Sequence, residues 1–321
     1  MKKTISEIIR EYLPKNCTIV AAFSGGPDSV YLLEKLIELR KINKFKIIVA
    51  HFNHKLRGKD SEKDEKFAKK TAEKHKLTYE SAGYDIKKFA KTNKLNLEDA
   101  CRQKRYEFLE KIRNKHKAKA VLTAHHLDDN IETFFINLLR GSGIQGLRSM
   151  QIKNGNILRP LLFISKKEIL DYLKKKKFNY RIDKTNFEKA FLRNKIRLEL
   201  IPVINDIQPK FRKTFLHTWK NINELNEFLD IEAESWLQKN YRGILEFSRN
   251  EFTNLHSALQ KKIIQKLFEK VHGSVIGLSK EQIERLINHI RTLQTGKQAP
   301  FGKGYALILK KTTFQIVKYK A

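Results

Sequence analysis

The chain is 321 residues long, and its 66 Lys and Arg residues against 35 Asp and Glu leave a formal charge of +31. That length allows a substantial core and two domains, and the charge points to a polyanionic partner, nucleic acid first, although a lysine-rich solvated surface accounts for the same excess. Two cysteines, Cys17 and Cys101, exclude a disulfide framework and a paired-cysteine metal motif; each suits a small buried residue or an inert thiol. No apolar stretch approaches the roughly 20 residues of a membrane span. Met1 to Leu13 carries Glu7 and Glu11 and lacks the apolar segment of a signal peptide, so a cytoplasmic protein is expected.

Residues 4–13 place Ile5, Ile8, Ile9 and Leu13 on one side of a short helix. The apolar run Ile19 to Phe23 predicts a buried strand, and Val30, Leu33, Leu36, Ile37 and Leu39 predict the helix after it. Strands follow at 45–51, 77–80 and 118–124, alternating with helices at 61–75, 97–116 and 127–140. Such alternation predicts an α/β fold with a parallel sheet covered on both faces, Rossmann-like in plan. Leu158 to Leu162 forms a strand-like lead into a helix from Ser165 to Lys177, which ends in four lysines, Lys174 to Lys177. Past Ile201–Pro209 the alternation stops. Helices over 210–240, 256–271 and 280–293 follow, the last capped by Ser279 with Gln282 three positions on. Two strand-like runs, 305–309 and 313–317, form a terminal hairpin. The expected division is an α/β domain over 1–208 and a mainly helical domain over 209–321.

The stretch that organises this layout is Ser24-Gly-Gly-Pro-Asp-Ser29, between the first long strand and its helix. Gly25 and Gly26 let the backbone turn sharply and approach an anion, while Pro27 and Asp28 suit a first helical turn whose free N–H groups and dipole attract phosphate. With no lysine it is not a G-x-x-x-x-G-K-[ST] loop. A cradle of amides and hydroxyls suits a departing pyrophosphate, its charge met by a metal and by bases elsewhere; a tight turn with two hydroxyl caps accounts for the same residues.

Ligands of parallel sheets gather beyond the carboxyl ends of the strands, and three polar clusters fall there: Ser24–Ser29, His51–Arg57 and His125–Asp129. In His51-Phe-Asn-His54 the histidines are metal or base ligands, or cap backbone groups. Arg102 and Arg105 share a helix face and either reach phosphates or pair with acids such as Glu98. In Thr123-Ala-His-His-Leu-Asp-Asp-Asn-Ile-Glu-Thr133, Asp129 and Glu132 project together, with His125 just before them; this suits magnesium and a cationic amine, while the macrodipole alone also explains acids there. Arg140–Leu147 is glycine-rich, either a cover over the site or a helix cap and turn. Arg193 and Arg197, four apart, suit a phosphate.

In order, SGGPDS, HFNHKLRG, LEDACRQKRYEFL, TAHHLDDNIET, RGSGIQGL, LRPLL and DKTNFEKAFLRNKIR resemble the tRNA(Ile)-lysidine synthetases, a family of N-type ATP pyrophosphatases, across roughly residues 18–205. The helical remainder is similar in plan to the family's first C-terminal domain; longer members carry a further domain for which this sequence leaves no room. The resemblance implies adenylation by ATP of the O2 of the wobble cytidine in the CAU anticodon of tRNA(Ile), release of pyrophosphate, then attack of free L-lysine on C2 with loss of AMP. Codon reading thereby changes from AUG to AUA. It also implies that Ser24, Gly25, Gly26, Pro27, Asp28 and Ser29 hold the ATP phosphates. Asp28 and Asp129 would lie near Mg2+, His125 by the α-phosphate and Glu132 at the lysine amine, with Arg105 and Arg193 stabilising charge on the phosphates. A homodimer is left open. The rivals are a cytidine-thiolating enzyme of the same superfamily, disfavoured by two unpaired cysteines, and a non-catalytic RNA-binding protein, which needs no carboxylates beside a phosphate loop. An amidotransferase acting on a small acid leaves the charge unexplained.

Overall fold

Side chains alternate across a strand, and the central strand of this protein buries both sets. The structure, a computed structural model, describes residues 3–56, 58–181, 192–240, 245–275, 277–292 and 294–319. Two units form, Met1–Trp219 and Lys220–Ala321. The first begins α1 (Ile5–Tyr12), β1 (Thr18–Ala22), α2 (Pro27–Asn43), β2 (Lys46–Asn53), α3 (Lys59–Lys74), β3 (Thr78–Gly83), α4 (Ile86–Thr92) and α5 (Leu97–Lys115). It continues β4 (Ala120–Leu122), α6 (Leu127–Leu139), α7 (Ile144–Leu147), β5 (Lys153–Asn154), β6 (Ile157–Leu158), α8 (Lys166–Lys175), α9 (Leu192–Lys195), a π-helical turn (Ile196–Leu200) and α10 (Ile201–Ile207).

The sheet runs β3-β2-β1-β4-β6-β5, parallel except for β5, which pairs antiparallel with β6 at the edge. Ile19, Ala21, Ile47 and Val49 enter the core closed by Leu32, Leu33 and Leu36 of α2 and Ile169 and Leu173 of α8. Val20, Ile48 and Val121 enter the opposite core, closed by Phe108, Leu109 and Ile112 of α5. Burial on both faces explains why these strands read as continuous apolar runs. Strand order steps outward from β1 through β2 on one side and through β4 on the other. That reversal opens a crevice beyond the carboxyl ends of β1 and β4.

Boundaries differ from the sequence expectation where local pattern is weak. The run 118–124 is a strand only over Ala120–Leu122, because the chain beyond turns into the start of α6. The division expected after residue 208 falls before α11 (Phe211–Lys239), but the units part at Trp219. Phe211, Phe215 and Trp219 pack with Leu127, Ile131, Leu162, Ile196 and Ile201, and Trp219 Nε1 donates to the Arg148 carbonyl at 2.7 Å, so the first turns of α11 complete the first unit's core. Pro202 offers no N–H to the turn before it, which accompanies the π-helical turn there.

The second unit holds the rest of α11, β7 (Glu246–Ser248), α12 (Arg249–Thr253), α13 (Ser257–His272), α14 (Lys280–Thr292), β8 (Gln298–Pro300), β9 (Tyr305–Leu309) and β10 (Thr313–Lys318). The expected hairpin is β9–β10, and β7 and β8 extend it to an antiparallel sheet ordered β7-β10-β9-β8. Its core gathers Phe247, Phe252, Phe301 and Phe314 against Ile263, Ile264, Leu267 and Ile290. Ser279 Oγ accepts from the Gln282 N–H at 3.2 Å and the Ser279 N–H donates to Gln282 Oε1 at 2.8 Å, the reciprocal cap anticipated for α14. Among the described residues no helix is long and apolar enough to cross a membrane.

Candidate active site

Helices that follow parallel strands begin at the carboxyl edge of the sheet, so α2 and α6 turn their N-termini into the β1/β4 crevice. Gly25 takes φ +84°, a left-handed value, and a Cβ there would stand 3.2 Å from Phe67 Cδ1. Ser29 Oγ accepts from the Gly25 N–H at 3.1 Å and donates to the Gly26 carbonyl at 2.9 Å; Ser24 Oγ accepts from the Gly26 N–H at 3.3 Å. The turn is braced from behind, where Arg181 donates its N–H to the Gly25 carbonyl and its Nε to Asp64 Oδ1, both at 2.9 Å. Gly26 caps α2 without a side-chain hydrogen bond, which leaves first-turn N–H groups for an anion.

Asp28, in that first turn, faces the head of α6. Lys166 Nζ reaches Asp28 Oδ1 at 2.6 Å, so the base missing from the loop is supplied from the start of α8. Buried His126 sets its Nε2 3.4 Å from Asp129 Oδ2 and 3.7 Å from Asp28 Oδ1, which brings the two acids to one point. Asp129 Oδ2 also accepts the His126 N–H at 3.0 Å, and Arg197 Nη2 lies 3.5 Å from Asp129 Oδ1. Burial opposes ionisation of Asp129, but His126, His125, the His126 N–H and Arg193 outweigh it and hold the carboxyl below its ordinary range. Asp128 takes the Lys166 N–H at 2.7 Å and Arg212 Nε at 2.8 Å, with its Oδ2 3.8 Å from His126 Nδ1, and so ties α6 to α8 and α11.

Glu132, 1% exposed, is gripped by Arg197, with Nε at 2.6 Å from Oε1 and Nη2 at 3.0 Å from Oε2. Burial raises its pKa, and Arg197 pulls the other way. Arg193 Nη2 donates to Thr133 Oγ1 at 3.0 Å, and its Nε stands 3.7 Å from Glu132 Oε2. His125 Nδ1 lies 2.9 Å from Thr123 Oγ1. Burial, with Arg105, Arg159 and Arg102 nearby against the opposing pull of Asp129, depresses its pKa to about 3, so its ring is neutral at working pH. Arg105 lies on this side too, its guanidinium 5.3 Å from the Tyr106 ring centre.

The structure therefore brings Ser24–Ser29, Asp28, Asp129 and Glu132 to one crevice, with Arg193 and Arg197 on the acids and His125 beside them. It does not bring His51 there: buried His51 pairs its Nδ1 with the Phe23 carbonyl at 2.9 Å, the backbone-capping alternative. The Arg140–Leu147 stretch closes α6, with Gly141 at φ +68° and the Ser142 N–H donating to the Asn137 carbonyl at 3.0 Å. Asp183–Asn186, Phe191 and Arg57 lie outside the described residues. Sequence reasoning missed His126 and Lys166; the one signal for His126 was its place immediately before the acidic helix. Among the described residues no group of three or more His, Cys, Asp or Glu side chains is arranged to hold a metal. Magnesium takes one or two carboxylates together with water and phosphate, so the converging Asp28 and Asp129 fit an ion shared with a polyphosphate.

The PP-loop domain family matches residues 1–204. The tRNA(Ile)-lysidine synthase of Clostridium tetani is 33% identical over 297 residues, covering 89% of this chain and 62% of that protein. That of Caldanaerobacter subterraneus subsp. tengcongensis is 31% identical over 336 aligned positions, covering 100% of this chain and 71% of that protein. The chain thus spans less than two thirds of the length of the Clostridium tetani protein. A solved U34-tRNA thiolase from Methanococcus maripaludis shares the fold, with a TM-score of 0.57 at 18% identity over 68% of this chain and 78% of that one. Together these matches show that the chain belongs to the tRNA(Ile)-lysidine synthase family of PP-loop proteins.

Proposed function

We propose that this protein, in the cytoplasm, joins free L-lysine to C2 of the wobble cytidine in the CAU anticodon of tRNA(Ile), converting ATP to AMP and pyrophosphate. The cytidine O2 attacks the α-phosphorus; a P–O bond forms, the bond to the β-phosphate breaks, and pyrophosphate leaves. The lysine ε-amine then attacks C2, gives up a proton, and the C2–O2 bond breaks with AMP carrying the oxygen away. Adenylation turns a poor leaving group into a good one, and holding three reactants together supplies much of the acceleration. The cytidine must leave the anticodon stack to reach the nucleotide.

In this reading Ser24–Ser29 and the N-terminus of α2 receive the ATP phosphates. Asp28 and Asp129 would hold Mg2+, which would offset phosphate charge during transfer. Neutral His125 offers the α-phosphate a hydrogen bond rather than a charge. Arg105 and Arg193 meet negative charge as it develops. Glu132 receives the lysine amine, which must share or displace Arg197 to do so. The observation that carries the proposal is the convergence of two helix N-termini, Asp28, Asp129 and Glu132 at the β1/β4 crevice. Chromatography of the nucleotide products tests it: AMP should form only with tRNA and lysine both present, and AMP formation indifferent to either would refute it.

A further inference from the structure

Guanidinium groups repel one another, and a buried one without an anion costs several kcal/mol. Three arginines nevertheless gather on the β4/β6 side of the crevice. α5 runs back along the sheet, so its early turns lie near the carboxyl ends of the strands. There Arg102 and Arg105 stand over the ring of Tyr106, at 5.1 and 5.3 Å from its centre. Arg159 follows β6 directly, beside Thr123, whose N–H donates to the Leu158 carbonyl at 3.0 Å. Arg159 is 5% exposed; its Nη1 donates to the Gln151 carbonyl at 2.9 Å, and its Nε has no hydrogen-bond partner. The buried Tyr106 hydroxyl meets no well-aligned hydrogen-bond partner, but it lies close enough to Arg105 and Arg159 to favour the charged form of both. Among the described residues no carboxylate forms an ion pair with any of the three. Burial lowers the pKa of both Arg105 and Arg159, the mark of cations held short of solvation.

We propose that Arg102 and Arg159, grouped about Tyr106 beside Arg105 and His125, form a phosphate-binding site separate from the glycine turn, occupied by a backbone phosphate of the RNA beside the nucleotide being modified. Arg102 and Arg159 have no part in the chemistry described above. A phosphodiester supplies the missing negative charge and acceptors for Arg159 Nε and the Tyr106 hydroxyl. This inference rests on the RNA-modifying reading of the crevice. An ATP phosphate has the same chemistry, so the test must separate the two sources.

The test uses the full chain and two probes, a CAU anticodon stem-loop RNA and a non-hydrolysable ATP analogue, with R102Q, R159Q and R159K variants checked by circular dichroism and thermal melting. R102Q alters an exposed side chain and remains informative if R159Q does not fold. R102Q and R159Q should weaken RNA binding about tenfold, and each lost phosphate contact should lower the slope of log affinity against log salt by roughly 0.7–0.9. R159K should recover part of the loss, and analogue binding should be unchanged. Weakened analogue binding with RNA binding intact would keep the phosphate site but assign it to the nucleotide. Unchanged binding of both probes by folded variants would overturn it. Failure of the wild-type chain to bind either probe would defeat the functional reading itself, and this inference with it.

Discussion

Replacing Gly25 by alanine tests whether the shape of the glycine turn, rather than its composition, makes the phosphate site. At φ +84° an L side chain is strained, and its Cβ would press to 3.2 Å on Phe67, whose ring stacks on buried Phe23 with centroids 6.3 Å apart. A residue forced into such a backbone region costs about 1–3 kcal/mol. If the turn keeps its shape, the first unit absorbs that cost and melts lower, at about 2–4 °C per kcal/mol for a unit of this size. If the turn instead relaxes, its amides leave the phosphate position and nucleotide affinity falls, by about 5- to 150-fold for the same energy. Gly26, at φ −72°, has only Ser24 Oγ near the place an alanine methyl would take, at 3.4 Å, and Gly26→Ala should change stability by no more than about 0.5 kcal/mol. Thermal melts and titration with an ATP analogue decide the matter. A Gly25→Ala protein that melts and binds like the wild type would refute the argument.

Glu132→Gln should leave analogue binding intact while the apparent affinity for lysine, read from incorporation kinetics, falls about 10- to 150-fold, the worth of a hydrogen bond to a charged group. An unchanged lysine requirement would remove Glu132 from that role. Asp128→Ala should lower stability without touching the nucleotide site directly, because it frees Arg212 and the Lys166 N–H; denaturant melts should show a loss of about 1–3 kcal/mol. His125 is neutral in the folded protein down to about pH 3, whereas the unfolded chain protonates it near its ordinary value of 6.5. The unfolded state therefore binds the extra proton between those values, and stability falls as pH drops from 6.5 towards 3. Urea melts at pH 7.5 and pH 5 should show His125→Gln losing less than the wild type over that interval; equal losses would contradict the assignment.

Much of this architecture was legible because its signals are local. β1, β2 and β4 are buried on both faces and so stand out as apolar runs, and the Ser24–Ser29 turn carries its conformation in two glycines and a proline. Asp129 and Glu132 share a helix face by spacing alone. What was hidden depends on distant partners. Lys166 meets Asp28 across 138 residues of sequence, and no periodicity points to that pairing. His125 and His126 are neighbours of one type, and only the geometry at the start of α6 turns His126 towards both acids. Arg197 looked like a phosphate ligand by spacing, yet it lies on Glu132 and Asp129. β7 and β8, three residues each, are too short for alternation to appear. Phe211, Phe215 and Trp219 form an apolar stripe whichever core receives them, so the unit boundary could not be read from the stripe.

The central claim is that the acids facing the glycine turn serve a single lysine-transferring reaction. Incubating the wild-type and Asp129→Asn proteins with labelled lysine, ATP and CAU-anticodon tRNA(Ile), then locating the label by nuclease digestion and mass spectrometry, tests it most directly. The account predicts one lysine on the wobble cytidine with the wild type and none with the variant, both proteins being folded. Label absent from that cytidine, or equal incorporation by the variant, would contradict it.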